Sequence, residues 1–89
     1  MTIEQIVRDG EGKAHNWRVK RAKYPDESVE LCYLWHHSTC MLIWNPITKV
    51  ILDYNTGWGS KSDQDGMNIA FRVLGSELYY SRRNGASIG

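Results

Sequence analysis

"SVELCYLWHHSTCMLIWNPITKVILDY", residues 28–54, decides the fold, because it reads as three strands in succession with a turn signal in each gap. "SVELCYLW" (28–35) alternates, with Val29, Leu31, Tyr33 and Trp35 on one face and Glu30, Cys32 and Leu34 on the other. "STCMLIW" (38–44) is nearly all apolar, as suits a central strand, and "VILDY" (50–54) is rich in β-branched residues. Between the last two lies "NPITK" (45–49), where Asn45 starts a turn and Pro46 presets φ at the next position. His36 and His37 stand between the first two strands and predict a tight turn. A two-residue turn there pairs Tyr33 with Cys40 and Cys32 with Met41. The two cysteines then fall on opposite faces of the sheet, which argues against a disulfide.

Upstream, "NWRVKRA" (16–22) is a further alternating strand, with Trp17 and Val19 on one face and Arg18 and Lys20 on the other. Thr2 followed three residues later by Gln5 is a capping box for a short N-terminal helix through Arg8, stopped by Asp9-Gly10. Downstream, the period changes from 2 to 3.6. Met67, Ala70, Phe71 and Leu74 form one apolar helix face, so a helix is expected over about 62–74, with Ser62 and Asp65 as its N-terminal box and Gly75 as its stop. Gly66 in its first turn costs roughly 1 kcal/mol against Ala, which hints at close packing. "SELYYSRR" (76–83) is a candidate last strand, and 84–89 are expected to form a flexible tail. The expected fold is α+β: one domain over residues 1–89, an antiparallel meander of four to five strands with one helix of the C-terminal half on one face.

Composition narrows the function classes. Eleven basic against ten acidic residues leave no whole-molecule field, which excludes an acidic nucleic-acid mimic and a strongly basic histone-like binder. A chain of 89 residues buries only roughly 60–65% of its unfolded surface, a thin margin that four Trp, five Tyr and one Phe help to offset. The charge is nonetheless segregated: Lys13, Arg18, Lys20, Arg21 and Lys23 occur with no acid among them, and Asp26, Glu27 and Glu30 follow. No signal peptide or transmembrane run is visible, so a reduced cytoplasmic chain with no membrane contact is expected.

The run from His37 to Asn68 resembles a family of small bacteriophage-encoded proteins without an assigned activity. Their shared stretch is approximately His-x-Thr, a Pro-containing turn, an apolar strand, Gly-Trp-x-Ser/Thr-x-Ser/Thr and Asp-x-apolar-Asn. "HSTCML", "NPITKVIL" and "GWGSKSDQDGMN" place His37, Thr39, Gly57, Trp58, Ser60, Ser62, Asp65 and Asn68 on that pattern. A weaker match through "NWRVKR" and "SVELCYL" extends it to about two thirds of the chain. The sequence departs at Gly59 and Gly66, where the pattern has basic residues; if those carry the family's binding, that contact is lost or changed here. The resemblance implies a phage accessory protein acting in the cytoplasm of a bacterial host, with His37, Thr39, Asp65 and Asn68 as residues of the motif.

The chemistry-bearing residues each admit a plain reading. "GWGSKS" (57–62) ahead of a helix has the flexible backbone, hydroxyls and Lys61 of an anion cradle, but the leading glycine of a P-loop is missing and Asp63 and Asp65 would repel phosphate. Cys40 lies in an apolar strand, where a thiol is normally inert. His15, His36, His37 and the cysteines lack the spacing of a zinc site, so no metal, cofactor or catalytic residue is expected. His37 is instead placed to bond Thr39 and set the hairpin.

Arg18 and Lys20, with Tyr24, Tyr79, Tyr80, Arg82 and Arg83, could track a phosphate backbone, or could simply keep a sheet edge from pairing. The expectation is a non-enzymatic inhibitor that binds and blocks a host macromolecule, most readily a protein, in the manner of an anti-defence factor. Trp58 with Gly57, Gly59, Ser60 and Lys61 forms the contact loop, and Arg18, Lys20 and Arg21 a second patch. Nucleic-acid binding by the basic-aromatic strand is the alternative, and a sponge for a nucleotide signal a third, although a small-molecule ligand is not expected. A homodimer is left open. Trp58 should be at least half exposed if the loop serves contact.

Overall fold

The computed structural model describes residues 1–23, 29–83 and 85–89. Helix α1 (Ile3–Asp9) starts at Thr2, whose side chain and that of Gln5 complete both halves of the capping box, and ends at Gly10 with φ of 74°. Strands β1 (Gly12–Ala14), β2 (Trp17–Lys23), β3 (Glu30–His36), β4 (Thr39–Trp44) and β5 (Ile51–Tyr54) form one sheet in chain order, every pair antiparallel. Helix α2 (Lys61–Val73) follows, and β6 (Tyr80–Ser81) pairs with β7 (Ser87–Ile88) in a separate two-stranded ribbon. The domain is therefore the expected α+β meander with a helix in its C-terminal half and a short one at its start.

The core lies on one side of the sheet. Trp17 and Val19 of β2, Cys32 and Leu34 of β3 and Leu42 and Trp44 of β4 meet Ile6 and Val7 of α1 and Met67, Ala70 and Phe71 of α2. This register turns Arg18, Lys20, Tyr33 and Trp35 to the other side, so the larger aromatics of β3 are left half-exposed.

Three local expectations are corrected. The β3–β4 turn lies one residue later than expected, at His37 and Ser38, because His36 is held in the core and pairs with Thr39 while His37 takes the left-handed conformation at φ of 56°. With a bulge between Leu34 and Trp35, Cys40 faces Trp35, Tyr33 faces Ile43 and Cys32 faces Trp44. Both cysteines are free, Cys32 being buried and Cys40 half-buried.

The α2 box is Ser60 with Asp63 rather than Ser62 with Asp65. Both spacings satisfy the same pattern, and the earlier one wins because Asp63 has further donors to satisfy, described below. Nor do the C-terminal residues form a free tail: Tyr79 and Gly89 exchange backbone hydrogen bonds at 3.0 and 3.1 Å, closing the β6–β7 ribbon. Asn68 of α2 then bonds both backbone groups of Tyr80, at 2.7 and 3.0 Å, and fastens that ribbon to the helix.

Gly66 is explained by Trp17. A Cβ at position 66 would lie 2.1 Å from the indole Cζ2, so only glycine lets α2 approach the β2 tryptophan. Gly66→Ala should destabilise the fold by about 1–3 kcal/mol through overpacking, although Ala is the better helix former by about 1 kcal/mol. A urea titration measures this, and an unchanged or raised midpoint would show that the helix does not sit on Trp17.

Candidate functional site

The site is the end of the sheet where two hairpin turns and the loop after β5 come together. A meander sends β1, β3 and β5 in the same direction. The turn at His15 and Asn16, the turn at His37 and Ser38 and the loop 55–60 therefore share one end. His37 N–H donates to the Asn16 carbonyl at 2.9 Å, joining the two turns.

Beneath them lies a buried polar pair. His36 Nδ1 is 2.5 Å from Asp63 Oδ1, with both side chains almost fully enclosed. The other carboxylate oxygen, Oδ2, accepts from the N–H groups of Trp58 at 3.0 Å and Ser60 at 3.2 Å. Burial pushes the Asp63 carboxyl up, but the His36 ring, the Ser60 and Trp58 N–H groups and the Ser60 hydroxyl outweigh it and hold the group below the usual carboxylate range. An ionised carboxylate only accepts, so Nδ1 carries the proton of the 2.5 Å bond. On its other side the His36 ring stacks on Trp17, centroids 4.0 Å apart and planes 5° from parallel.

The glycines of "GWGS" serve this carboxylate. Gly57 and Gly59 have φ of 62° and 73°, and a Cβ on Gly57 would lie 3.0 Å from Asp63 Oδ2 and 2.8 Å from Met41 Cε. Gly57 N–H donates to Asn55 Oδ1 at 2.8 Å and Gly59 N–H reaches the Thr56 carbonyl at 3.4 Å. Four consecutive N–H groups, from residue 57 to residue 60, thus have acceptors within the protein. The anion cradle exists, and Asp63 fills it from inside. The N–H groups of residues 57 to 60 are thus not free to hold an external anion.

The Tyr80 hydroxyl donates to the Thr56 carbonyl and Ala86 packs near Gly59, so the C-terminal ribbon props the loop from behind. Trp58 is left projecting, 87% exposed.

The remaining candidates are distributed differently. Arg18 and Lys20 lie exposed on the open side of β2. Arg21 is turned to the core side. Its guanidinium bonds the Gly10 and Asp9 carbonyls at 3.0 Å each, closing the end of α1, and lies 3.8 Å from Glu30. Lys61 pairs with Asp65 at 3.2 Å on the α2 surface. Tyr80 is buried, whereas Tyr79 is exposed; Tyr24 lies outside the described residues. Thr39 closes the hairpin opposite His36, not through His37. Position 66 has no space for a side chain, and position 59 has a left-handed backbone beside Ala86.

Burial raises both thiols, Cys32 and Cys40, above the ordinary cysteine value, which keeps them protonated and poor nucleophiles. No group of three or more His, Cys, Asp or Glu side chains able to hold a metal occurs among the described residues. No helix there is long and apolar enough to cross a membrane.

Sequence reading missed His36 and Asp63. The available signals were a second capping-box spacing at Ser60-x-x-Asp63 and a histidine at an inward position of an alternating strand.

No family model, curated protein or solved structure matches the chain.

Because the Asp63 carboxyl lies below its ordinary value of 3.8 in the fold, its contribution is present above that pH and is lost as pH falls through the lower folded value. Asp63→Asn should cost about 3 kcal/mol at neutral pH, because it removes a buried carboxylate that accepts hydrogen bonds from a ring nitrogen and two backbone N–H groups. It should also flatten the fall in stability below about pH 4, the range in which an unfolded carboxyl protonates. Urea unfolding of both proteins between pH 2 and 7 reads this out, roughly spanning carboxylate titration; parallel pH profiles would show that Asp63 is not the acid-sensitive group.

Proposed function

We propose that this chain is a non-catalytic binding protein that blocks a host protein through Trp58 and the β5 edge of the sheet. The observation that carries the reading is an exposed tryptophan on a loop whose N–H groups at 57 to 60 are bonded internally. A large aromatic that contributes nothing to the core is held on backbone whose N–H groups from residue 57 to residue 60 have acceptors within the protein, so little conformational entropy remains to be lost when a partner covers it. That is the property of an interface anchor. The β5 edge adds apolar surface, because Tyr54 and Leu52 on the strand, and Val50 and Ile47 at its far end, are also large apolar residues left exposed.

The contact is made by side chains rather than by strand addition. Between Ile43 and Trp44 the β4–β5 register shifts and leaves Leu52 without a cross-strand partner, and Asp53 Oδ1 accepts the Tyr54 N–H at 2.8 Å. A bulge and a self-capped acidic residue are the means by which an edge strand resists pairing, and they also oppose a strand-to-strand homodimer. The likeness of the "HSTCML" and "GWGSKSDQDGMN" stretches to small phage proteins supports a bacterial host protein as the target, in an anti-defence role, and the bacterial cytoplasm as the place of action. The raised thiols and the occupied loop cradle favour occlusion over catalysis.

Trp58→Ala tests the reading in nuclease-treated bacterial lysate, followed by titration of the captured protein in pure form. Affinity should fall by roughly 30-fold, corresponding to about 2 kcal/mol for a central anchor, with no change in thermal stability. Equal capture by wild type and variant would remove Trp58 from the interface.

A further inference from the structure

We infer that the chain carries a second site, separate from the Trp58 surface: a phosphate-binding notch between the first two hairpin turns, shaped for the backbone of a single-stranded nucleic acid. Lys13 and Arg18 are direct cross-strand partners on the open side of β1 and β2. Two like charges in that position repel and destabilise the pair, and an anion between them reverses the sign. The notch they border has a volume of about 190 Å³ and is completed by His15, Asn16, Trp17 and His37, with no carboxylate in its lining among the described residues. His15 and His37 reach it because both are turn residues with positive φ, 54° and 56°, and the Asn16–His37 backbone bond holds the turns side by side. Two cations, two imidazoles and a carboxamide supply hydrogen-bond donors from two strands and two turns, the donor set a phosphate oxygen cluster takes.

The surroundings extend the notch into a track. Lys20 lies two residues along β2 from Arg18, a step of roughly 7 Å on the same face and on the order of the spacing of successive phosphates in an extended strand. Among the described residues, the cleft running from Lys13 to Lys20 is lined by one acid, Glu11, against Lys13, Arg18, Lys20 and Arg21. Arg21 is occupied by the end of α1, so the track consists of Lys13, Arg18 and Lys20. Trp35 is the direct neighbour of Arg18 on β3 and is half-buried, which places the accessible part of an indole beside the phosphate position where a base can stack. A phosphate site flanked by a second cation and an aromatic fits a strand better than a free phosphate, which would use the notch alone. The Lys13–Arg18 pair lies three to four strand spacings from β5, roughly 14–19 Å, so the charged part of the notch is distinct from the Trp58 loop although His37 belongs to the turn between them.

The test is fluorescence anisotropy with a labelled oligothymidine of twelve nucleotides at low salt, for wild type, Lys13→Ala/Arg18→Ala and Trp58→Ala, each checked by thermal melting. Wild type should bind with an affinity that weakens steeply as salt rises. The double variant should lose at least tenfold while melting no lower than wild type, because its charges repel in the free protein; Trp58→Ala should bind as wild type does. Inorganic phosphate should compete only at far higher concentration than unlabelled oligonucleotide. Absence of salt-dependent binding, equal binding by the double variant, or loss of binding in Trp58→Ala alone would each overturn the proposal. Inorganic phosphate competing as well as the oligonucleotide would reduce the site to one for the free anion.

Discussion

The Asp63 carboxylate is the constraint on which the rest of the structure depends. It sits at the third position of α2 and gathers the helix cap, the loop after β5 and the inward histidine of β3 onto two oxygen atoms. A buried carboxylate is tolerated only when its lone pairs are taken, and here a ring nitrogen and two backbone donors take them. The arrangement explains features that otherwise look unrelated. Gly57 must be glycine for the chain to turn over the carboxylate, and His36 must point inward to reach it. Trp17 covers the histidine with its own flat face, and Gly66 clears space for the tryptophan.

This explains why a tryptophan stands between two glycines. The glycines give the left-handed turns that aim N–H groups inward, and the side chain between them is thereby directed outward. Rigidity in the backbone and exposure of Trp58 are two results of one geometry. The C-terminal ribbon contributes through Tyr80 and Ala86, which is why residues that resemble a loose tail are built into the domain.

Periodicity made the sheet and α2 legible, because strand alternation and the Met67, Ala70, Phe71, Leu74 spacing are local properties. The turn position and the capping box were not legible to the residue. The capping box had two spacings that satisfy the same pattern, and both it and the turn position are fixed by a contact across the fold: His36 in β3 reaching Asp63 in α2, far apart in sequence. Arg21 is the same lesson in a charged residue. Its neighbours Arg18 and Lys20 are free on the open face, while strand alternation turns Arg21 inward to the end of α1. Segregated charge was visible, but the notch was not, because β1 and its Lys13–Arg18 pairing came from three residues too short to show alternation.

Amide hydrogen exchange of Trp58 and Ser60, measured residue by residue, tests the central role of Asp63 most directly. If the carboxylate holds the loop, both amides are protected in the wild type, and Asp63→Asn releases them while the central strands β3 and β4 remain protected. Exchange at the rate of free backbone in the wild type would contradict it, since the loop would then be mobile and Trp58 would have no fixed platform.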